Sequence, residues 1–362
     1  MNDKICFPYE DDVQDIPEYV NNIAQIYDKI ADKISKDIYT NRLLLSLTEN
    51  YAYMKNVILY TNGGKRLNEA ILNGNGKSQF IYGAGRRGKR LVELFSENNW
   101  GGFIDENTEQ REYNSLKIIK LDDFLRSYTQ GVRVFISNMF ETEGIVRNLL
   151  RKGIALEDIY VINDFDQEGA KDIYYSLECV RKALVKEKIF VDIGCYDGKD
   201  SLNYMDWTGN SQAEIYAFEP DIRNYMVCKR KLDQYTNIKL LNIGLSDKKQ
   251  ELSVVGNGEM SYLAEEGDFN IDTELLDNIL QKKQVGFIKM DVEGHEINVL
   301  KGSEKIIRNQ HPILAVSIYH RRSDIWKIPL LLLEYNKNYC FYIRYYGAAN
   351  GDTVLYAIDC KK

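Results

Sequence analysis

The densest chemistry in this chain lies in Asp291-Val292-Glu293-Gly294-His295-Glu296, three acids and a histidine at the end of the apolar run Val285–Met290. Carboxylates and an imidazole at a strand tip can trade protons near neutral pH, or hold a cation. His320 ends another apolar run, PILAVSIYH, whose tip is expected beside that of the first. Asp291 and His320 would then converge above the sheet, where open α/β sheets bind their ligands. With its ordinary pKa, His320 would serve as a general base; a structural histidine paired with a neighbour is the alternative. Asp291, Glu293 and His320 also make a mixed oxygen and nitrogen set for a divalent metal, although no short ligand-spacing motif supports one. His295 is expected to open a helix and bond locally, and His311, in a loop before Pro312, to be structural.

Two glycine turns suggest where a nucleotide would sit. The run Ile189–Ile193 leads into Gly194-Cys195-Tyr196-Asp197-Gly198, with a helix expected near Lys199. Such a turn offers free backbone N–H groups at a helix N-terminus. Glu219, before Pro220, falls 27 residues after Asp192, where an acid at the tip of the next strand can hold the hydroxyls of a ribose. In the first half, Phe80-Ile81-Tyr82 leads into Gly83-Ala84-Gly85-Arg86-Arg87-Gly88, and Asp105 follows Gly83 by 22 residues. This is a complete dinucleotide-type motif, with Arg86, Arg87, Lys89 and Arg90 where a phosphate would lie. It reads either as a second nucleotide site or as a scaffold domain with a basic solvated helix.

The segments FVDIGCYDG, YAFEPD, LLNIGLSD and FIKMDVEGHEINVLKG, in this order, resemble the FkbM-type methyltransferases. The resemblance covers about 186–320 well and the closing strands more loosely. It implies a seven-stranded class I methyltransferase sheet, S-adenosylmethionine as cofactor, and a small-molecule or saccharide hydroxyl as methyl acceptor, with a nucleotide-linked sugar or a polysaccharide among the options. It further implies that Asp192, Gly194, Cys195, Asp197 and Gly198 line the methionine side of the cofactor. Glu219 and Pro220 would hold the ribose, the Asn242–Ser246 turn with Gly244 and Ser246 would lie against the adenine, and Asp291 would border both cofactor and acceptor. Two other readings stand beside this one. An NAD-dependent oxidoreductase built on Gly83–Gly88 would leave Glu219 and Asp291–Glu296 without a role. A non-catalytic protein with two decayed nucleotide folds is opposed by the intact acids at both strand tips.

The elements that position these residues follow from periodicity. Apolar residues at three- and four-residue steps from Ile16 to Leu47 predict helices, ended by Asn62-Gly63-Gly64, with dimerisation as one use for them. From Lys77 short apolar runs alternate with helical stretches (QFIYGAG, GGFID, VRVFIS, IYVIN), and a second such series starts at KIFVDIG. That alternation predicts parallel sheets. Lys171–Lys186 reads as a helix leading into the second series, and YCFYIRYY and DTVLYAI as a closing antiparallel pair. The expected organisation is therefore α/β: an N-terminal helical region over 1–76, a smaller Rossmann-like domain over 77–168, and the methyltransferase-like domain over 169–362. The net charge of −7 argues against a nucleic-acid partner. The six cysteines include no close pair, so neither a disulfide framework nor a zinc site is expected. An acidic N-terminus without an apolar core, and no run of about 20 apolar residues, point to a cytoplasmic protein with no membrane partner.

Overall fold

The computed structural model describes residues 16–74, 76–170, 173–184, 188–256, 262–264 and 267–361. The acidic segment 1–15, Cys6 with it, lies outside the described residues. The chain forms two compact units, each discontinuous in sequence. One comprises Asp37–Asp172 with Tyr345–Asp352; the other comprises Ile173–Arg344 and Thr353–Lys362 with the described part of Tyr9–Lys36. Among the described residues no helix is long and apolar enough to cross a membrane.

The first unit is built on β1 (Gln79–Tyr82), β2 (Trp100–Ile104), β3 (Glu112–Tyr113), β4 (Leu116–Ile119), β5 (Val134–Ile136) and β6 (Ile159–Val161), in the order β3-β4-β2-β1-β5-β6. All pairs are parallel except β3 with β4. Ile104, Phe124, Val134, Ile136 and Leu149 form the centre of its core. Asn62-Gly63-Gly64 does not end the helical region as the sequence suggested. These residues open the helix Asn62–Leu72, whose first turn is capped by the Thr61 hydroxyl accepting from the Gly64 amide at 3.0 Å. Both glycines are there because a Cβ would lie 1.9 Å from the Phe165 carbonyl at Gly63 and 2.0 Å from the Ile58 carbonyl at Gly64. Close packing selected them.

The second unit carries β7 (Ile189–Ile193), β8 (Ile215–Phe218), β9 (Ile238–Leu241), β10 (Gly244–Leu245), β11 (Gln250–Val255), β12 (Tyr262–Ala264), β13 (Phe269–Glu274), β14 (Val285–Met290), β15 (Ile313–Ser317), β16 (Tyr339–Tyr346) and β17 (Asp352–Asp359). Its main sheet runs β16-β17-β15-β14-β7-β8-β9. β9, β8, β7, β14 and β15 are parallel, and β17 is antiparallel to β15. β7, β8 and β15 are buried along their whole length, as strands covered on both faces must be. The chain leaves β7 toward β9 at one edge, then returns to place β14 on the other side of β7. The strand order therefore reverses between β7 and β14, the crevice where such sheets bind ligands.

Three local features differ from expectation. A smaller sheet, β10-β13-β11-β12, fills the stretch before β14, where no strands were anticipated. Of the helix expected over Lys171–Lys186, whose ends lie outside the described residues, the described residues form Glu178–Ala183, preceded by a turn at Tyr174, whose φ is +67°. Cys340 and Cys360, 20 residues apart, are joined in a disulfide. They sit near the open ends of the β16–β17 hairpin, which brings their Cα atoms to 6.0 Å, so strand pairing supplies a proximity that sequence spacing hides.

Candidate functional site

The turn after β7 takes its shape from glycine. Gly194 has φ of +73°, and a Cβ there would lie 1.9 Å from the Asp291 carbonyl, so the tips of β7 and β14 can meet only without one. Gly198, at φ +76°, precedes the helix Lys199–Thr208, whose first amide donates to Asp197 Oδ1 at 3.0 Å. Asp197 also pairs with Lys231, and the Cys195 thiol packs 3.5 Å from that of Cys228 in the core. Both side chains thus have structural partners, leaving the backbone of the turn to face a ligand.

Glu219 closes β8 and is 5% exposed. Its Oε2 accepts from the Tyr196 amide and its Oε1 from the Asp221 amide, both at 2.9 Å, which ties the β7 turn to the β8 turn. Burial pushes its pKa up to about 7 against the pull of those amides. The Asn224 side chain also bonds the carboxylate and helps hold its charge. Asn242 donates to the carbonyls of Glu219 and Pro220 at 2.8 and 2.9 Å, and so fixes the same corner from β9. Gly244 pairs with Thr273 in the smaller sheet, and the Ser246 hydroxyl lies 3.0 Å from His295 Nε2.

Beneath these loops sits a buried charge network. Lys289 of β14 is in register with Asp192 of β7, and its Nζ lies 3.2 Å from Asp192 Oδ1 and 3.3 Å from Asp200 Oδ2 while donating to the Gly194 carbonyl at 2.7 Å. Burial would pull the ammonium down, but Asp192 and Asp200 outweigh it and hold it above its ordinary value. Burial pushes Asp200 up to about 6 despite Lys289. Asp192, fully buried, accepts from the Ser201 hydroxyl at 2.7 Å. It is a foundation of the loop rather than part of its lining.

The tips of β14 and β15 carry the third group. The Tyr174 hydroxyl donates to Asp291 Oδ2 at 2.7 Å and lies 3.3 Å from Ser317 Oγ. His320 lies three residues past β15, fully buried, with Nδ1 at 2.8 Å from Glu296 Oε1. Its Nε2 lies 3.5 Å from both Asp291 Oδ1 and Glu293 Oε2. Burial opposes a charged ring, yet Glu296 and Glu293 prevail and lift its pKa well above the ordinary value. Glu293 and Gly294 have φ of +51° and +89°, a tight turn that aims the Glu293 carboxylate back at His320. His295 precedes the helix Glu296–Lys301, and burial lowers its pKa. His311 pairs with Asp359 at 2.8 Å, away from this cluster.

In the first unit, Gly83 has φ of +100°, Gly85 caps the helix Arg86–Leu94, and a Cβ on Gly88 would lie 2.2 Å from the Gly83 carbonyl. Asp105 Oδ2 accepts from the Ala84 amide at 2.8 Å, and its Oδ1 from the amides of Asn107 and Thr108. Arg87 donates to Asn163 and Asp166 at 2.7 and 2.8 Å. The loop and its acid are thus bonded to each other.

Residues 265–348 match the family model described as the methyltransferase FkbM domain. The chain is an S-adenosylmethionine-dependent methyltransferase. It is 22% identical over 191 residues to the 2-O-methyltransferase NoeI of Sinorhizobium fredii, covering 45% of this chain and 77% of that protein. It is 23% identical over 209 residues to the hexuronic acid methyltransferase AglP of Haloferax volcanii, covering 55% and 81%. A solved structure of a methyltransferase FkbM from Methylobacillus flagellatus aligns with a TM-score of 0.48 and 16% identity over 89% of this chain and 99% of that one.

Glu296 was read as one of the strand-tip acids without its His320 partner, and Lys289, Asp200 and Tyr174 had no role in the sequence reading. Only Lys289 left a signal, as a charge inside the apolar run VGFIKM that demands buried acidic partners.

Proposed function

We propose that this methyltransferase moves the methyl group of S-adenosylmethionine to a hydroxyl of a saccharide, and that its main sheet is the class I methyltransferase sheet. The observation that carries the reading is Glu219, a buried carboxylate at the tip of β8 that braces the glycine turn of β7 and stands where a strand-tip acid holds ribose hydroxyls. The methionine side of the cofactor lies along the backbone of Gly194–Gly198, and the adenine against the Asn242–Ser246 turn. NoeI is a 2-O-methyltransferase and AglP a hexuronic acid methyltransferase, which supports a sugar as acceptor here.

The acceptor oxygen attacks the methyl carbon in line with the sulfonium. The O–CH3 bond forms as the S–CH3 bond breaks, and the neutral thioether leaves. The proton shed by the hydroxyl passes to the cluster of Asp291, Glu293 and His320, one strand away from the glycine turn. Tyr174 holds Asp291 in place, Glu296 orients His320, and His295 braces Ser246 on the adenine side. Incubation with methyl-labelled cofactor and a panel of mono- and oligosaccharides tests this. Label should enter alkali-stable ethers on the sugar. Label found only in protein or in methyl esters, or none transferred, refutes it.

A further inference from the structure

The first unit carries a cavity of about 340 Å3 that takes no part in the methyl-transfer site. It opens where β2 and β4 begin, at the end of the sheet opposite the Gly83–Gly88 loop, which follows β1. Its neutral polar lining is Asn50, Ser96, Asn98 and Asn114, side chains that each both donate and accept. Asn50 caps the turn Tyr51–Met54 through Oδ1, which accepts from the Ala52 amide at 3.0 Å, and its Nδ2 remains for a ligand. Asn98 Oδ1 accepts from Gln79 at 3.3 Å, and its Nδ2 is buried with no partner among the described residues, a donor that a ligand oxygen would satisfy. Asn114 and Ser115 turn the β3–β4 hairpin with φ of +47° and +63°. Strained turns of non-glycine residues gather where a loop must present a side chain to a ligand, and here that side chain is Asn114.

The rest of the lining selects the ligand. Among the described residues no lysine or arginine lines the cavity, so nothing there would pair with a phosphate or a carboxylate. Glu93 is the one acid in the lining, and its oxygens already accept from the Tyr51 amide at 3.3 Å and the Tyr113 hydroxyl at 2.9 Å. A single carboxylate so engaged is a poor cation site, which needs several oxygen ligands. Val92, Leu116 and the Trp100 ring supply the apolar part. Trp100 gives its N–H to the Phe95 carbonyl at 2.9 Å, so its ring offers only carbon. Apolar carbon beside neutral groups that donate and accept is complementary to a pyranose, with its C–H faces and its rim of hydroxyls. The volume lies at the small end of the roughly 300–1,000 Å3 of ligand sites, which suits one ring. We propose that this cavity binds one uncharged sugar residue of a saccharide chain, so that the first unit is a saccharide-binding module. The lining sets this ligand class by itself, whichever hydroxyl the second unit methylates.

The test uses the full chain, with maltotriose, cellotriose, mannotriose and triacetylchitotriose as neutral probes and trigalacturonate as the acidic one. Saturation-transfer NMR and calorimetry read the binding. At least one neutral trisaccharide should bind, one per chain. Asn114→Gly, which keeps the positive φ, and Ser96→Trp, which fills the cavity, should each weaken it at least about tenfold, with circular dichroism confirming that each variant is folded. Calorimetry with S-adenosylhomocysteine should give the same affinity in wild type and both variants. Cofactor binding without binding of any neutral trisaccharide overturns the sugar site and leaves the methyltransferase reading standing. A preference for trigalacturonate overturns the ligand class. Neutral trisaccharide binding of unchanged strength in both variants also overturns the proposal, by placing the sugar elsewhere.

Discussion

Replacing Glu219 with Gln removes the charge while keeping the shape, and its consequences can be worked from the contacts. The carboxylate accepts two backbone amides at 2.9 Å; glutamine has one acceptor oxygen, so one amide must face an NH2 group. Leaving that buried donor unmet costs about 1–3 kcal/mol of stability. Hydrogen bonds to a charged acceptor contribute about 1.5–3 kcal/mol, so affinity for S-adenosylhomocysteine should fall roughly 10- to 150-fold. The pH dependence supplies an independent arm. Burial places the Glu219 pKa at about 7 in the free protein, and ribose hydroxyls donating to it favour the ionised form. Binding should therefore tighten as pH rises toward that value, by close to tenfold per unit well below it, with release of nearly one proton per cofactor near pH 6. The same raised pKa makes the group's contribution to stability fullest below its unfolded value and lost as pH rises through about 7. Calorimetry in buffers of different ionisation enthalpy, for wild type and variant, reads both affinity and protons. An unchanged dissociation constant in a folded Glu219→Gln protein, or no proton release in the wild type, refutes the ribose assignment.

Further expectations follow from other contacts. Lys289→Met strands Asp192 and Asp200 as buried acids and should destabilise the chain by about 3–5 kcal/mol, read by urea unfolding; a change within experimental error would show that the network adds nothing. Opening the Cys340–Cys360 link by Cys340→Ser with Cys360→Ser should cost about 3 kcal/mol for a loop of this length, whereas equal melting of the two proteins would contradict it. Because Asp105 and Arg87 are bonded within the first unit, the full chain should give no heat with NAD at millimolar concentration, and Asp105→Ala should lower stability. Saturable NAD binding would make that loop a second nucleotide site.

The strands were legible where burial is uniform. IFVDI, IYAF and ILAVS are apolar throughout because both faces are covered, and the glycines after them mark turns whose backbone excludes a Cβ. Glu219 was legible through its distance from Asp192. The rest depends on neighbours remote in sequence. Glu296 reads as an ordinary first-turn acid until His320 arrives beside it from β15. Tyr174 reaches Asp291 across 117 residues from a turn with positive φ. Gly63 and Gly64 look like a helix breaker because glycine favours both loose chain and tight packing, and only the Phe165 and Ile58 carbonyls tell which applies.

Native mass spectrometry of the full chain with equimolar S-adenosylhomocysteine and NAD tests the central claim most directly. One S-adenosylhomocysteine per chain, lost in Glu219→Gln, with no NAD adduct, is the predicted result. A spectrum showing NAD bound and S-adenosylhomocysteine excluded would contradict the account.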